Sequence, residues 1–409
     1  MAHPKILAFV LAGGKGERLS PLTDFRSKPA VPFGGRYRIV DFVLSNLVNS
    51  HIYSVYLLVQ YKSQSLIEHV RKNWVLSSFI PDHFVAVVPP QMRMGPEWFQ
   101  GTANAVYQNI NLIQDREPEL VIVFGADHIY RMDIRQMIDF HLEKGADVTV
   151  ATRPVLLADA SAFGVIATDS RQRITGFQEK PEHPAPKPEA PGRACVSMGN
   201  YIFNRDVLIE ALVHAKMKGQ HDFGSHIIPA LVETSRVYAY DFATNLVPGT
   251  MQYEERGYWR DVGTIPVYFQ THMDMLGEHP ILDLHNKKWP IHPAGYEGPA
   301  AQIFGGEIRN SIISEGDIVW NAKIVNSIVR QDVVIEDDAL VEDSIIMDHA
   351  VISKGCRLKR VIVDKFNILP EKLEVGADAE KDLLQGKFHI DPSGIRIIPK
   401  PGRKIGYEA

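Results

Sequence analysis

Two loops near the start of the chain combine glycines with positive charge. The first, LAGGKGERLSPLT at 11–23, follows the apolar run ILAFVL, and the second is DFRSKPAVPFGGRYR at 24–38. Together they contain six cations, all within the 24 residues 15–38: Lys15, Arg18, Arg26, Lys28, Arg36 and Arg38. Glycines let backbone N–H groups approach an anion, and the interleaved prolines stiffen the chain. Such cations suit a bound polyphosphate better than a solvated basic surface.

The spacing of the first loop excludes two common nucleotide motifs. A Walker A loop needs a hydroxyl residue directly after its lysine, whereas Lys15 is followed by Gly16 and Glu17. A dinucleotide fingerprint needs glycine at its third position, where this chain has Leu19. The loop therefore predicts anion binding without identifying the anion.

The bulk composition is that of an ordinary globular protein. The chain has 409 residues, enough for two or three domains, with 45% hydrophobic and 23% charged residues. A net charge of −5 argues against non-specific binding of nucleic acid or anionic membranes. The two cysteines, Cys195 and Cys356, allow neither a disulfide framework nor a cysteine-based zinc site. No apolar run approaches the length of a membrane span, so we expect a cytoplasmic protein.

Strand and helix patterns alternate over the first 275 residues. This alternation, with near-continuous apolar strands, predicts an α/β fold with a mainly parallel sheet covered by helices. The predicted strands are 5–11, 53–59, 84–88, 120–125 and 147–152, and the predicted helices are 41–49, 63–74, 102–113 (with Thr102 as N-cap) and 133–143. Ligands of such sheets bind beyond the carboxyl ends of the strands, where residues 12–18 and Asp127 fall.

The C-terminal part has a different pattern. Residues 310–376 form four repeats of 16 or 17 residues, with branched apolar residues about every six. The residues predicted to point inward are Ile312, Ile318, Ile324, Ile328, Val334, Leu340, Ile346, Ile352 and Leu358. This spacing favours a hexapeptide β-helix over ordinary strands with regular turns. The proline-rich stretch 181–192 is predicted to be an exposed loop. The predicted domains are 1–277 and 306–409, joined by a linker at 278–305.

Several motifs in order carry a family resemblance: LAGGKGERLSPLT, RSKPAVPFGG, WFQGTANAV, GADHIY, SMGNYIF, HDFGSHIIP and YWRDVGT. With them the chain resembles the sugar-nucleotide pyrophosphorylases, and among these the bacterial glucose-1-phosphate adenylyltransferases. The resemblance implies a Rossmann-like, GT-A-like nucleotidyltransferase domain followed by a left-handed parallel β-helix. It also implies the reaction of ATP with α-D-glucose 1-phosphate to give ADP-glucose and diphosphate, which supplies glycogen synthesis.

The resemblance also implies roles for individual residues. The implied catalytic residues are Arg18, Lys28, Asp127, Lys180 and Asp261. The implied nucleotide-binding residues are Leu11, Ala12, Gly13, Gly14, Lys15, Gly16, Gln60, Phe99, Gly101 and Thr102. The implied sugar-phosphate residues are Gly164, Glu179, Lys180, Ser197 and Asn200. Because Lys180 precedes Pro181, its backbone is predicted to be extended.

A metal, an effector and an assembly follow from the same resemblance. Asp127 and Asp261 are expected to hold Mg²⁺; the alternatives are a helix N-cap for Asp127 and an ion pair with Arg260 for Asp261. Arg36 and Arg38 are expected to bind a small-molecule allosteric effector, and the chain is expected to form a homotetramer. The chain departs from the family's usual residues at Phe99, where tyrosine is frequent, and at Asn104, where aspartate is frequent.

Two rival functions remain open at this stage. One is a uridylyl- or thymidylyltransferase acting on another sugar 1-phosphate, which the first loop alone does not exclude. The other is a non-catalytic regulatory subunit of the same fold. All five expected catalytic residues are present in this chain, which argues against the regulatory subunit.

Overall fold

A computed structural model describes residues 4–402 except 78, 94, 188–189, 294, 379, 381 and 384–387. Contacts within the chain divide it into two compact units. The first unit comprises Met1–Gly14, Phe42–Gly249 and Lys287–Pro290. The second comprises Lys15–Asp41, Thr250–Asn286 and Ile291–Ala409. In the described part of the chain, every helix is too short or too polar to cross a bilayer.

The elements are as follows. The α-helices are α1 (Ile39–Asn49), α2 (Gln64–Asn73), α3 (Thr102–Tyr107), α4 (Ile110–Arg116), α5 (Ile134–Glu143), α6 (Arg205–Met217), α7 (Ile228–Thr234) and α8 (Ile265–Met273). The strands as far as residue 261 are β1 (Ile6–Ala12), β2 (Pro32–Phe33), β3 (Tyr37–Arg38), β4 (Ser54–Val59), β5 (Phe84–Val88), β6 (Leu120–Gly125), β7 (His128–Tyr130), β8 (Val148–Leu156), β9 (Gly164–Thr168), β10 (Ile174–Glu179), β11 (Arg193–Asn204), β12 (Val237–Asp241) and β13 (Trp259–Asp261). The remaining strands are β14 (Gln302–Arg309), β15 (Ile312–Ile313), β16 (Ile318–Val325), β17 (Ile328–Val329), β18 (Val334–Ile335), β19 (Leu340–Glu342), β20 (Ile345–Ile346), β21 (Val351–Ile352), β22 (Arg357–Lys359), β23 (Val361–Val363), β24 (Ile368–Leu369), β25 (Glu374–Val375), β26 (His389–Ile390) and β27 (Arg396–Ile398).

The first unit is built on a nine-stranded sheet that runs β10-β9-β11-β6-β1-β4-β5, with β8 paired to β11 and to β12. Strand β1 is parallel to β4 and β6, and β5 is parallel to β4. Strand β11 enters antiparallel to β6. The prediction of a mainly parallel α/β sheet is therefore confirmed. Its central strands are buried on both faces, which explains their near-continuous apolar sequences.

The predicted helix at 102–113 differs from the structure. It is two helices, α3 and α4, which are separated at Gln108 and Asn109. The predicted N-cap is also wrong, because α3 begins at Thr102 and Gly101 occupies the cap position. The Thr102 hydroxyl bonds across the fold instead, donating to Asp222 Oδ2 at 2.8 Å and accepting from the Phe223 N–H at 3.0 Å.

The C-terminal residues of the second unit form a left-handed parallel β-helix. Successive coils pair in parallel along three columns, and each column places one branched residue per coil in the core. The inward positions are Ile313, Val319 and Ile324, then Val329, Ile335 and Val341, then Ile346, Ile352 and Leu358, then Val363, Leu369 and Val375.

The predicted inward positions are correct in the third repeat. In the first two repeats, five of them lie one residue too early: Ile312, Ile318, Ile328, Val334 and Leu340. A shift of one residue moves a side chain to the opposite face of a strand. The error arises where two apolar residues are adjacent, as in Ile328-Val329, because periodicity cannot tell which one points inward. Ile328 is buried nonetheless, on the outer face of its sheet.

The corners of the coils use left-handed backbone conformations. Positive φ angles recur in three columns: Gly305, Asn321, Asp338, Gly355 and Lys372; Asn310, Asn326, Asp343 and Arg360; and Gly316, Asp332, His349 and Phe366. Glycine, asparagine and aspartate tolerate this conformation best. Asn310 also donates to the Asn326 side chain of the next coil at 2.8 Å. At the end of the sheet that contains β23, β27 pairs with β23 in parallel and β26 pairs with β27 antiparallel.

Candidate active site

The residues predicted to bind the nucleotide follow neighbouring strands of the first unit. Leu11 on β1 is in register with Leu58 on β4 and with Gly125 on β6. The three strands therefore end at one edge of the sheet, where the loop that begins at Gly13 emerges. A Cβ atom on Gly13 would lie 3.6 Å from that of Gln60, so the two residues are close neighbours.

Gln60 binds the backbone of a distant segment through both atoms of its amide. Its Oε1 accepts from the Phe99 N–H at 2.6 Å, and its Nε2 donates to the Phe99 carbonyl at 3.2 Å. The amide thus places the WFQGTANAV segment at the same edge as the glycine loop. It also explains why phenylalanine is compatible with this position, since the contact uses the backbone and not a side-chain hydroxyl.

Asn104 replaces the aspartate that is frequent in the family, and its role is structural. Its Oδ1 accepts from the Gln100 N–H at 3.0 Å and from the Gln108 amide at 2.9 Å. These bonds need an acceptor oxygen, which asparagine and aspartate both provide.

The segment 221–224, in HDFG, contacts predicted site residues, although the sequence reasoning gave it no role. Asp222 accepts from Thr102, as described above, and a Cβ on Gly101 would clash with the His221 carbonyl. A Cβ on Gly224 would lie 2.5 Å from Glu179 Oε2. The segment therefore packs between predicted nucleotide-binding and sugar-binding residues. The signal was present in the HDFGSHIIP motif, although no spacing argument connected it to Thr102 or Glu179.

The predicted sugar-phosphate residues Glu179 and Lys180 lie at the end of β10. Their charged groups are 3.3 Å apart, and a Cβ on Gly164 would lie 3.0 Å from Glu179 Oε2. The prediction of an extended backbone at Lys180 is wrong, because its φ is +45°. The Lys180 N–H donates to the Phe163 carbonyl at 3.1 Å, so the chain turns there to leave the sheet.

Ser197 and Asn200, the other predicted sugar residues, flank an irregularity in β11 where the pairing with β8 shifts. Ser197 Oγ accepts from the Gly199 N–H at 3.1 Å, and Asn200 Nδ2 donates to the Tyr130 hydroxyl at 3.1 Å. Asn200 is fully buried, and its Oδ1 has no hydrogen-bond partner among the described residues.

Asp127 follows β6 and offers an accessible carboxylate. Its side chain is 39% exposed, and its Oδ1 lies 3.5 Å from His128 Nε2. It does not cap the next helix, because Asp133 holds that position and accepts from the Arg135 N–H at 3.1 Å. The helix-cap alternative is thereby excluded, and a carboxylate is the type of ligand that a hard cation such as Mg²⁺ prefers.

In the second unit, Asp261 forms a close ion pair with Lys28. Lys28 Nζ lies 2.7 Å from Asp261 Oδ1, and the lysine side chain is only 8% exposed. Arg260 pairs with Glu255 at 2.6 Å and with Asp274 at 3.6 Å, so among the described residues its ion-pair partners are these two and not Asp261. A buried lysine against a carboxylate is a charge-assisted contact, stronger than a solvated pair.

Arg18 lies beside the same ion pair. A Cβ on Gly263 would be 3.0 Å from Arg18 Nη2 and 3.2 Å from Asp261 Oδ1, so glycine leaves room for both groups. Gly16 has a φ of +69°, and a Cβ there would lie 2.9 Å from that of Lys28. Lys15, in contrast, is 67% exposed and lies 3.6 Å from Glu17. Arg18, Lys28 and Asp261 are therefore brought together within one unit.

The remaining cations of the two loops make contacts with the β-helix or its surroundings. Arg26 is buried and donates twice to Asp364 at 2.7 Å. Arg36 pairs with Glu315 at 2.7 Å. Burial lowers the pKa of Arg38 to about 10, although the nearby Asp41 carboxylate opposes the shift. Arg26 and Arg36 thus have carboxylate partners in the β-helix, and the effector role of Arg36 and Arg38 stays a prediction.

Comparison with known proteins identifies the family. Residues 7–278 match a model described as Nucleotidyl transferase, and residues 299–398 match one described as GlmU-like, C-terminal hexapeptide. The chain is 65% identical to the glucose-1-phosphate adenylyltransferase of Thermodesulfovibrio yellowstonii, a match that covers 98% of this chain and 97% of the relative. The enzymes of the same name from Anaeromyxobacter sp. and Thermus thermophilus are 47% and 44% identical, and each match covers 98% of this chain and 99% of the relative. The chain therefore belongs to the glucose-1-phosphate adenylyltransferase family of nucleotidyl transferases.

Proposed function

We propose that the protein converts ATP and α-D-glucose 1-phosphate to ADP-glucose and diphosphate, supplying ADP-glucose for glycogen or a related α-glucan. The observation that carries this proposal is the 65% identity, over nearly the full length of both chains, to a relative with that name. The grouping of Arg18, Lys28 and Asp261 supports it, because two cations beside a carboxylate suit a polyphosphate with its counter-ion.

The reaction is an in-line displacement at phosphorus. An oxygen of the sugar phosphate forms a bond to the α-phosphorus of ATP, and the bond between that phosphorus and the β-phosphate oxygen breaks. Because the nucleophile is already an anion, the chain needs to supply alignment and charge neutralisation and not a general base. We assign Arg18 and Lys28 to the charge that develops on the departing diphosphate, and Lys180 to the sugar phosphate.

Mg²⁺ is the proposed cofactor, with Asp127 and Asp261 as its ligands. Carboxylate oxygens are the donors that this hard cation prefers, and bound Mg²⁺ neutralises charge on phosphate oxygens. In the structure Lys28 Nζ contacts one oxygen of Asp261, which orients that carboxylate. The rest of the assignment keeps the sequence prediction: residues 11–16, Gln60, Phe99, Gly101 and Thr102 for the nucleotide, and Gly164, Glu179, Ser197 and Asn200 for the sugar.

The finer features of the prediction are part of the same proposal. These are regulation by a small effector at Arg36 and Arg38, a cytoplasmic homotetramer, and a division into a catalytic domain (1–277), a linker (278–305) and a β-helix domain with its tail (306–409). Pyrophosphate release measured across candidate sugar phosphates and nucleotides, in the wild type and in an Arg36→Ala variant, would test the effector assignment.

A nucleotide panel tests the proposed reaction. Purified protein with Mg²⁺ and glucose 1-phosphate is supplied in turn with ATP, UTP, dTTP and GTP, and diphosphate release is measured. We expect the highest kcat/KM with ATP. Equal or better turnover with another nucleotide would replace the adenylyl assignment with a uridylyl-, thymidylyl- or guanylyltransferase. Absence of turnover with all four would favour a regulatory subunit.

A further inference from the structure

One column of the β-helix faces the loop at 24–38. Its members follow the inward residues of successive coils at equivalent positions: Ser314, Arg330, Met347 and Asp364. Three of the four bind this loop. Ser314 Oγ lies 3.0 Å from the Gly35 carbonyl, Asp364 binds Arg26, and Arg330 binds the turn between β2 and β3. The loop and the column both belong to the second unit.

Arg330 makes the largest number of these contacts. Its side chain is 3% exposed, and Nη1 donates to the carbonyls of Phe33, Gly34 and Tyr37 at 2.8, 2.6 and 3.0 Å. Its Nε and Nη2 donate to the two oxygens of Asp348 at 3.0 and 3.2 Å. A planar guanidinium with five donors can bind several acceptors at once, which a lysine ammonium cannot do with the same geometry.

The turn depends on these external partners. Strands β2 and β3 have two residues each, and β-ribbons of that length are not stable alone. The carbonyls of Phe33, Gly34 and Tyr37 accept from Arg330, and a buried carbonyl that loses such a bond is costly. His272 Nε2, also outside the turn, accepts from the Gly34 N–H at 3.1 Å. The backbone position of the turn is therefore determined mainly by residues outside it.

Lys28 lies between two of these attachment points. It is two residues after Arg26, which is bound by Asp364, and four residues before β2, which leads into the turn bound by Arg330. The short 3₁₀ turn Lys28–Ala30 and two prolines make the connection stiff. A displacement of the turn would therefore move Lys28 relative to Asp261.

We propose that Arg330, in the β-helix, is a positioning residue for the transfer reaction: it fixes the turn at 33–37 and thereby holds Lys28 against Asp261. This inference rests on the proposed role of Lys28 in charge stabilisation. It gives the β-helix an indirect part in catalysis, through the backbone carbonyls of the turn.

The test compares Arg330→Met with Arg396→Met. Arg396 is a matched control, because it is also a buried β-helix arginine paired with a buried aspartate, Asp382 at 2.8 Å. Arg330→Met should lower kcat by about 10²-fold, the loss expected from a misplaced catalytic group. Deuterium uptake by amides 28–38 should rise in that variant alone. Arg396→Met should lower the thermal midpoint comparably and leave kcat and this uptake unchanged.

A second variant and a second comparison keep the result interpretable. Arg330→Lys keeps a positive charge beside Asp348, but a lysine cannot bind all three carbonyls. We therefore expect about a tenfold loss of kcat, with faster deuterium uptake by amides 28–38. Equal kcat and equal uptake in the Arg330 and Arg396 variants would overturn the positioning role. If Lys28→Met is inactive while both Arg330 variants are fully active, only this inference fails; if Lys28→Met is active, the proposed role of Lys28 itself fails.

Discussion

The two units support their predicted active-site residues in opposite ways. In the first unit, Asp127 follows a buried central strand and Lys180 follows an edge strand of the same sheet, and their side chains are 39% and 64% exposed. In the second unit, Lys28 is 8% exposed and lies on a loop whose backbone is bound by the β-helix. A strand in a packed sheet positions its last residue by itself, whereas a loop needs partners. Substitutions of Asp127 or Lys180 should therefore change activity alone, and substitutions that release the loop at 24–38 should change activity and stability together.

Asp127→Ala provides the largest expected effect and tests the first half of this comparison. Loss of a metal ligand should reduce turnover by at least about 10³-fold at any Mg²⁺ concentration. Because the carboxylate is exposed, the free energy of unfolding should change by less than about 0.5 kcal/mol. Diphosphate release and urea unfolding measure the two quantities. Full activity would remove Asp127 from the proposed metal site.

Asp364→Ala tests the second half of the comparison, that the loop at 24–38 depends on contacts with the β-helix. It leaves the buried Arg26 guanidinium without its carboxylate, which typically costs about 3–5 kcal/mol. Urea unfolding of the second unit should shift accordingly. Asp206→Ala is the control, because its pair with Arg205 is on the surface and should contribute nothing measurable. Equal stability of the two variants would contradict the view that the loop depends on the β-helix.

Lys28→Met tests whether the rate depends on the position of a positive charge or only on net charge. Removal of a preorganised group that stabilises developing charge lowers kcat by about 10²–10³-fold. Lys359→Met, on an exposed edge of the β-helix, removes the same charge and should leave kcat unchanged. Steady-state kinetics with ATP and glucose 1-phosphate provide the measurement. Similar losses in both variants would show that net charge, and not position, controls the rate.

The pH dependence of stability offers the smallest effect. Burial lowers the pKa of His272 from 6.5 to about 3, so below pH 6.5 the unfolded chain takes up a proton that the folded chain does not. The contribution of neutral His272 to the free energy of unfolding is fully present above pH 6.5. It is lost as the pH falls towards 3, by at most about 1.4 kcal/mol per pH unit. His272→Gln can keep the bonds to Gly34 and Tyr268 without titrating. Urea unfolding at pH 7 and pH 5 should therefore show a smaller loss in the variant; parallel losses would refute this role.

Much of the first unit could be predicted from local pattern. The strands at 54–59, 84–88 and 120–125 are short apolar runs, and the structure places them within one residue of the prediction. The motifs also led to Lys28 and Asp261, although not to the contact between them. Lys180 shows the limit, since the bond from its N–H to the Phe163 carbonyl outweighs the backbone preference that Pro181 imposes.

The contacts that hold the loop were beyond the reach of sequence pattern. Arg26 was one cation among six until Asp364, 338 positions away, identified it as structural. The column that contains Ser314, Arg330, Met347 and Asp364 shows no common residue type, so no periodicity marks it. The same is true of Ile328 and Val329, where only the packing on the two faces decides which side chain enters the core.

The antiparallel strand β26 has a consequence for self-association. A stack of parallel coils presents its last rung as a template on which another chain could add a further strand. Here β27 forms the last parallel rung beside β23, and β26 then runs in the opposite direction along its free edge. A foreign coil would have to displace β26 before it could extend this sheet. The short reversal thus occupies the edge of the last parallel rung, where a parallel coil of another chain would otherwise pair.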